Sequence, residues 1–316
     1  MTLDRIKLRQ LIYLIEVARH HSFLRTAQAL RVTQPAVTRT IRELEETLGV
    51  RLFDRAHNGV KPTLFGSVLL QHATIALAEL RAGIGDIEGL RQGLGGQVTV
   101  GGLPAALALL LPRAITGLKA GAPDVAVSVT EGRNDVLLPA LRAGDLDFIL
   151  GRPANLDQMV GLSHETLYYE RLSIFVRKGH AAARDGAPPL TDLLACTWVV
   201  PQIGTAIRDS AHALLRGAGL SFPVAVVEAT SPLLVRNMVQ EADIVGVAPY
   251  SVALPDLQSG AAIEVGDDLR GSFGSIGITL RTDSDLAPAA NRLLRHLRVV
   301  AGMVRRNSGT GVVAEV

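Results

Sequence analysis

The stretch "RVTQPAVTRTIRELEETLGVRLFDR", Arg31 to Arg55, constrains the fold more tightly than any other part of the chain. Val37, Ile41, Leu44 and Leu48 recur at helical spacing, which predicts a helix with one buried face. The face that begins with Thr33, Gln34, Thr38 and Arg39 is polar, and acids arrive only at Glu43, Glu45 and Glu46. Thr33 suits the N-cap, and Pro35 falls in the first turn, where a missing N–H costs nothing. Upstream, Leu8, Leu11, Ile12, Ile15 and Ala18 share one face of a first helix. Ser22 caps a second helix, Phe23 to Leu30, whose small Ala27 lets another helix approach closely. Only "RV" separates the second helix from the third. Three helices with so tight a turn make a helix-turn-helix.

Charge points to a partner for this module. Residues 1–63 hold 11 Lys+Arg and 6 Asp+Glu, a balance of +5, whereas the remainder holds 21 and 24, a balance of −3. A basic end on a mildly acidic body suits a polyanion. Recognition helices read duplex DNA with their N-terminal residues. Gln34 suits an adenine edge, and Arg39 a guanine edge or a phosphate. The helix N-terminus and Thr33 favour a backbone phosphate. The later acids are expected away from the groove. "RLFDRAHNGVKPT" contains Asn58-Gly59, a hairpin turn signal, so a wing is expected with Arg55 and Lys61 flanking the DNA. Arg25 and Arg31 are weaker candidates for phosphate contact.

From Leu64 to about Arg91 the pattern changes. Leu70, Ala73, Leu77, Leu80, Ile84 and Ile87 alternate in steps of three and four, a heptad seam. A helix of ~28 residues spans roughly 40 Å, and such a rod needs a partner for its stripe. Pairing with the same helix of a second subunit makes a homo-oligomer with two recognition helices in two-fold register. Gly83 and Gly85 weaken the helix and suggest a bend. "GLRQGLGGQ" ends the rod. The expected organisation is a DNA-binding module over 1–63, a dimerising helix over 64–92 and a hinge over 93–97. A two-lobed body follows over 98–304, then a tail over 305–316 without a packing pattern.

The body reads as strands and helices in turn. "QVTVGGLP" is a strand, and "AALALLLPRAITGLKAGAP" a helix interrupted near Pro112. "VAVSVTEG", the helix "NDVLLPALRAGDL" and "DFILGR" follow. The β-α-β-α-β order implies a parallel sheet with right-handed crossovers. A similar set follows with "RLSIFVRKG", "TWVVPQIG", a helix after Thr205, "VAVVEATS", a helix after Pro232 and "DIVGVAPYSV". "SFGSIGITLRTD" and "APAANRLLRHLRVVAGMV" close the body. Ligands of open α/β sheets bind at strand C-termini beside helix N-termini. Here those ends carry Gly101-Gly102 and Leu103, Thr130, Gly151-Arg152, Gln202 to Thr205 with Gly204, and Thr230-Ser231. Converging between two lobes they make a cleft for a small molecule. The helix N–H groups and Arg152 favour an anion. Pro104 is followed by Ala105-Ala106, so that helix offers backbone donors rather than a hydroxyl. Thr205 and Thr230 also suit simple helix caps.

No GxSxG, HExxH or P-loop occurs, and Glu131, Asp145 and Asp147 read as solvated or capping acids, so an enzyme is not expected. The single Cys196, in "LLACTWVV", excludes an internal disulfide and a multi-Cys zinc site and reads as a buried, inert thiol. No cofactor or metal is expected. No apolar run reaches the length of a bilayer span, and "MTLDRIKLRQ" lacks the apolar core of an export signal. No membrane partner and a cytoplasmic location are therefore expected. The main rival is a cytoplasmic solute-binding protein of the same two-lobed type, and after it a small-molecule enzyme.

"SFLRTAQALRVTQPAVTRTIRELEETLGVRLFDR" followed by "VKPTLFG" resembles the LysR-type transcriptional regulators. The spaced features are Ala27, Gln34-Pro35-Ala36, Thr38-Arg39, Leu44-Glu45, Leu48-Gly49, Leu52-Phe53 and Arg55. Within the family, "TRTIRELEETLGV" resembles the subgroup that controls protocatechuate or sugar-uptake genes. The resemblance implies promoter DNA contacts through Gln34, Pro35, Thr38, Arg39 and the wing Arg55. It implies a winged helix-turn-helix and linker helix, followed by a two-lobed α/β effector domain like a periplasmic binding protein. Lobe I then comprises about 98–166 and 272–304, lobe II about 167–271, and dimers pair into tetramers.

Overall fold

The computed structural model describes residues 3–56, 59–91, 95–183, 186–266, 272–282, 285–306 and 312–313. The chain divides into two units, Met1–Glu88 with Pro139–Asp145, and Gly89–Leu138 with Leu146–Val316.

The first unit begins with α1 (Leu8–His20), α2 (Phe23–Ala29) and α3 (Gln34–Leu48). A hairpin of β1 (Phe53–Ala56) and β2 (Gly59–Pro62) follows, then α4 (Leu64–Arg91). Ser22 caps α2 as expected, its Oγ accepting the Arg25 N–H at 3.3 Å. Buried Thr26 ties α2 to α1: its hydroxyl lies 2.8 Å from the Ser22 carbonyl and 3.2 Å from that of Glu16. Val37, Ile41 and Leu44 are buried in α3 with Thr40, while Leu48 packs at the edge of the core. Thr33 takes the cap position of α3, but its side chain makes no capping bond, contrary to expectation.

The buried face of α1 also differs. It is Gln10, Tyr13, Leu14 and Val17. Leu11, Ile12, Ile15 and Ala18 flank the core half-buried, and Leu8 is exposed. α1 is apolar around most of its circumference, so periodicity fitted two faces, and the face that carries Tyr13 and Leu14 is the one buried.

Three local devices fix the wing. The Glu45 carboxylate accepts the N–H groups of Leu52 (2.7 Å) and Phe53 (3.3 Å), joining α3 to the start of β1. Val60 N–H donates to the His21 carbonyl at 3.0 Å. Gly59 has φ +116°, and a Cβ there would lie 2.6 Å from that same carbonyl, so only glycine fits. Asn58, the other half of the expected turn signal, lies outside the described residues. Thr63 then starts α4: its Oγ accepts the Gly66 N–H at 3.0 Å and donates to the Arg51 carbonyl at 2.8 Å.

The second unit holds a ten-stranded sheet ordered β4-β3-β5-β11-β6-β9-β7-β8, with β10 and β12 also pairing with β6. The strands are β3 (Gln97–Gly102), β4 (Ala126–Glu131), β5 (Phe148–Gly151), β6 (Leu162–Arg177), β7 (Thr197–Val200), β8 (Val226–Glu228), β9 (Ile244–Pro249), β10 (Ala262–Val265), β11 (Ser272–Arg281) and β12 (Val312–Val313). The helices that follow are α5 (Pro104–Gly121), α6 (Asn134–Ala143, which belongs to the first unit from Pro139), α7 (Leu190–Leu193), α8 (Ala206–Gly217), α9 (Pro232–Glu241), α10 (Tyr250–Ser259) and α11 (Pro288–Arg306).

The sheet is mixed, not parallel throughout. β3 runs parallel to β4 and β5, and β7 parallel to β8 and β9. β11 is antiparallel to β5 and β6, and β6 is antiparallel to β9. β6 serves both halves of the sheet. Up to Arg171 it pairs with β11, and from Leu172 with β9. The expected strand starts only at Arg171, and the expected lobe boundary at 166/167 falls inside β6. β11 and α11 return to the first half, where Ile276, Ile278, Leu293 and Leu297 share a core with Val98, Val100, Leu110 and Phe148.

Other expectations change in detail. α5 is continuous through Pro112. Proline removes one backbone bond, but Leu109, Leu110, Leu111 and Ala114 around it are buried, and that packing outweighs the loss. Asp147 is neither solvated nor a helix cap. Its Oδ2 accepts the Thr99 N–H at 2.6 Å and hydroxyl at 3.0 Å, locking β3 to the start of β5. Cys196 is half-buried, and burial pushes its thiol upward, away from the reactive thiolate. In the tail, Val312–Val313 pairs with Tyr169 and Glu170 of β6.

Candidate nucleic-acid interface and ligand cleft

The first turn of α3 presents Gln34 and Pro35 to solvent, with Thr33 just before it, Thr38 half-buried and Arg39 exposed. Buried Val37, Ile41 and Leu44 hold this face from behind. The arrangement is one polar arc at a helix N-terminus, where unsatisfied N–H groups attract phosphate and side chains reach base edges. The uncapped Thr33 hydroxyl adds a donor to that arc. Arg25, in the first turn of α2, is exposed. Arg31 is exposed in the turn between α2 and α3, at the left-handed φ +54°. On the wing, Lys61 is exposed and pairs across the hairpin with Asp54. Arg55 lies in β1 opposite Val60, but its side chain is outside the described residues.

The acids of α3 are closer to this face than expected. Arg39 Nε donates to Glu43 Oε1 at 2.8 Å, and Arg42 Nε to Glu46 Oε1 at 3.0 Å. Both arginines remain exposed, with side-chain accessibilities of 83% and 78%.

The expected seam of α4 splits in two. Ala73 is buried in the core of the winged helix, Leu77 is also buried, and Leu70 packs half-buried against that core. These three are therefore used inside the chain. Leu80, Ile84 and Ile87 are 50–59% exposed, and Phe65 and Val68, which the periodicity count left out, are 58% and 54% exposed. The seam is one face of the helix, covered by the chain at Leu70, Ala73 and Leu77 and left open from Leu80 onward.

In the second unit, the parallel register places Gly101 beside Thr130 and Gly102 beside Glu131 and Leu150. Gly102, Leu103, Thr130 and Arg152 thus gather at one edge. Gln202, Gly204 and Thr205 follow β7, and Thr230 and Ser231 follow β8, which pair through Val200 and Glu228. Several of these groups are already engaged. A Cβ on Gly102 would lie 2.1 Å from a Leu107 methyl, so this position is filled by the chain itself. Leu103 gives its N–H to the Leu150 carbonyl at 3.0 Å. Thr205 caps α8, accepting from Arg208 N–H at 3.3 Å and donating to the Gln202 carbonyl at 2.7 Å. α9 is capped by Ser231, whose Oγ accepts the Leu234 N–H at 3.3 Å, and not by Thr230, which is exposed. Beneath the Gln202–Thr205 loop, buried Arg208 donates to the Pro201 carbonyl at 3.1 Å and lies over the Phe222 ring at 4.1 Å.

The polar cluster at the point where β6 changes partners was missed. Glu170 is buried, and its Oε1 accepts the Ser251 N–H in the first turn of α10. Ser251 Oγ in turn lies 3.1 Å from the Ala105 carbonyl of α5. Burial raises the Glu170 carboxyl to about 7, against the opposing pull of the Ser251 bonds and of Arg152. Burial lowers Arg152 to about 10, opposed by Glu170. The next residue, Arg171, grips Glu264 with two guanidinium nitrogens, one at 2.6 Å, and stacks over Tyr250 at 4.1 Å. Ser173 Oγ donates to the same Glu264 at 2.6 Å. The signal was "YYERLS", charged residues inside an otherwise apolar strand pattern.

Comparison with known proteins identifies two family domains in the chain. Residues 8–67 match the bacterial regulatory helix-turn-helix protein, lysR family, and residues 91–301 match the LysR substrate binding domain. The regulator PcaQ of Agrobacterium fabrum is 33% identical over 303 residues, covering 95% of this chain and 96% of its own. The regulator GbpR of Azospirillum brasilense is 32% identical, covering 96% of this chain and 89% of its own. Full-length CbnR complexed with its target DNA matches the fold with a TM-score of 0.55 at 23% identity, covering 93% of this chain and 100% of its own. LysG of Corynebacterium glutamicum with bound effector Arg does so with a TM-score of 0.60 at 18% identity, covering 94% and 99%. With its helix-turn-helix at one end and its substrate-binding domain at the other, the chain belongs to the LysR family of DNA-binding transcriptional regulators.

Proposed function

We propose that this regulator binds promoter DNA through Thr33, Gln34, Pro35, Thr38 and Arg39 in the major groove, with Arg25, Arg31, Arg55 and Lys61 on the flanking backbone. The single observation that carries this reading is the exposed polar arc of α3 backed by buried Val37, Ile41 and Leu44. Residues 1–63 then form the DNA-binding module, 64–92 the dimerising helix and 98–304 the effector-binding body, with 93–97 between them. The exposed end of the α4 seam, Leu80, Ile84 and Ile87, pairs two subunits, so that two recognition helices read two half-sites. Dimers of this kind associate further into tetramers.

The effector is a small metabolite with an anionic group. Support comes from Arg152 at the end of β5 and from the helix N-termini after Thr205 and Ser231. Effector binding alters DNA engagement through the relative setting of the two halves of the body. The protein works in the cytoplasm as a regulator rather than an enzyme. Selection of duplexes from a random pool by the full-length protein tests the DNA reading, which predicts a two-fold related site. Recovery of sequences without a shared motif would remove it. The effector reading is tested by thermal-shift screening of small carboxylates followed by footprinting. A ligand that stabilises the protein yet leaves the footprint unchanged would count against it.

A further inference from the structure

The three acids of α3 that follow the polar arc do not share one role. Glu45 turns inward and holds the start of the wing through Leu52 and Phe53. Glu43 and Glu46 stay outside, and each takes the Nε of the arginine one turn before it. Helix stability is a poor reason for these two pairs. The stabilising order places the acid N-terminal to the base, in accord with the helix dipole, and here the order is reversed in both. The pairs are also exposed and open to screening by salt. Nor is affinity for nucleic acid a reason, since a carboxylate on a DNA-facing helix is repelled by phosphates. The Arg39–Glu43 pair is the nearer of the two to the N-terminal arc, where recognition helices meet base edges.

The geometry points to Glu43 as a specificity-determining residue that positions Arg39 for DNA recognition. The guanidinium is a rigid planar fork, so one bond at Nε fixes the direction of the remaining donors. With Nε held at 2.8 Å by Glu43, the two terminal nitrogens of Arg39 are left for the O6 and N7 of a guanine. An Arg39 without this restraint has the reach and charge to settle on a phosphate, which is present in every sequence. Glu43 therefore lowers affinity for arbitrary DNA and raises discrimination at one base pair. Arg42 and Glu46 repeat the device farther along the helix, farther from the N-terminal arc. The inference rests on the reading of Arg39 as a base-contacting residue.

The test uses full-length protein and duplexes selected from a random pool, with each base pair of the selected site then replaced in turn. Affinities are compared for the unaltered chain, Glu43→Gln, Arg39→Ala and the double variant. Glu43→Gln is expected to lose about tenfold of the discrimination at the guanine where Arg39→Ala also loses it. The same variant should bind unselected duplexes a few-fold more tightly, and it should add no loss of discrimination once Arg39 is gone. A uniform change of affinity for all duplexes would mean simple repulsion and would overturn the positioning role. So would equal loss of discrimination with and without Arg39. If Arg39→Ala leaves discrimination intact at every position, the reading of Arg39 itself fails, and the role of Glu43 goes with it. Melting temperature and helical circular dichroism, unchanged in Glu43→Gln, separate these outcomes from a loss of fold.

Discussion

Glu170 Oε1 accepts the Ser251 N–H at 3.0 Å, so a buried carboxylate rests against the first turn of α10 at the point where β6 exchanges β11 for β9. The position is favourable for a negative charge because helix N–H groups face it. It is unfavourable because Glu170 is only 1% exposed and its Oε2 has no hydrogen-bond partner among the described residues. Burial wins, and the proton is held up to about 7.

Stability should therefore respond to pH through Glu170. The folded state binds this proton more tightly than the unfolded chain does, whose carboxyl stays near the ordinary 4.5. Its stabilising contribution is complete below about pH 4.5 and is lost as pH rises through about 7, on the order of 3 kcal/mol in all. Glu170→Gln keeps a carbonyl oxygen for Ser251 and removes the titration. Melting temperatures of the full chain and of Glu170→Gln should diverge between pH 5 and pH 8, the variant gaining at the alkaline end. Parallel curves would show that Glu170 does not titrate in this window.

Lys61 on the wing should behave as a phosphate contact. It is exposed and lies opposite Asp54 in the hairpin. Lys61→Ala should weaken binding to all duplexes alike and reduce the slope of log affinity against log salt by about 1. Arg39→Ala should instead cost about 1–3 kcal/mol on the selected duplex and little on unrelated ones. Fluorescence anisotropy across a salt series distinguishes the two patterns.

The DNA-binding end was legible because its signals are local. Ser22, Pro35 and Gly49 each act within a few residues, and Asn58-Gly59 is a turn signal between adjacent strands, so spacing alone placed α2, α3 and the wing. The body was legible in its β-α rhythm but not in its joints. β6 starts at Leu162, yet "SHETLYYE" carries polar residues that mask a strand until its neighbours are known. α10 was missed because Pro255 and Val252 argue against a helix. Tertiary packing overrides both, with Val252, Ala253 and Leu254 buried. The polar cluster joins Arg171 to Glu264, 93 positions apart, and Glu170 to Ser251, 81 positions apart, and no spacing rule reaches that far. On α4, periodicity found a stripe but could not say which part of it the chain covers itself.

Glu45 should matter to the wing more than to the helix that carries it. Its carboxylate satisfies two backbone N–H groups, those of Leu52 and Phe53. Leu52 is buried, so an unsatisfied donor beside it is costly. Glu45→Ala should destabilise the winged helix by roughly 1–3 kcal/mol. Hydrogen exchange should report the loss at the N–H groups of Leu52 and Phe53 first. Unchanged protection there would mean that the β1–β2 hairpin holds itself.

The covered and the open end of the α4 seam make opposite predictions for stability and assembly. Ala73 is 3% exposed in the core of the winged helix, whereas Leu80 and Ile84 are 50% and 57% exposed. Enlarging the first should overpack a core, and charging the others should leave the fold of each subunit intact. Ala73→Leu is expected to cost about 1–3 kcal/mol of stability with the assembled mass unchanged. Leu80→Glu with Ile84→Glu should leave each subunit folded and shift sedimentation from dimer or tetramer toward monomer. The same double variant should lose affinity for a two-fold site while still engaging a half-site weakly, because the second recognition helix is no longer held in register. If its mass is unaltered in solution, the exposed stripe is not what joins the subunits.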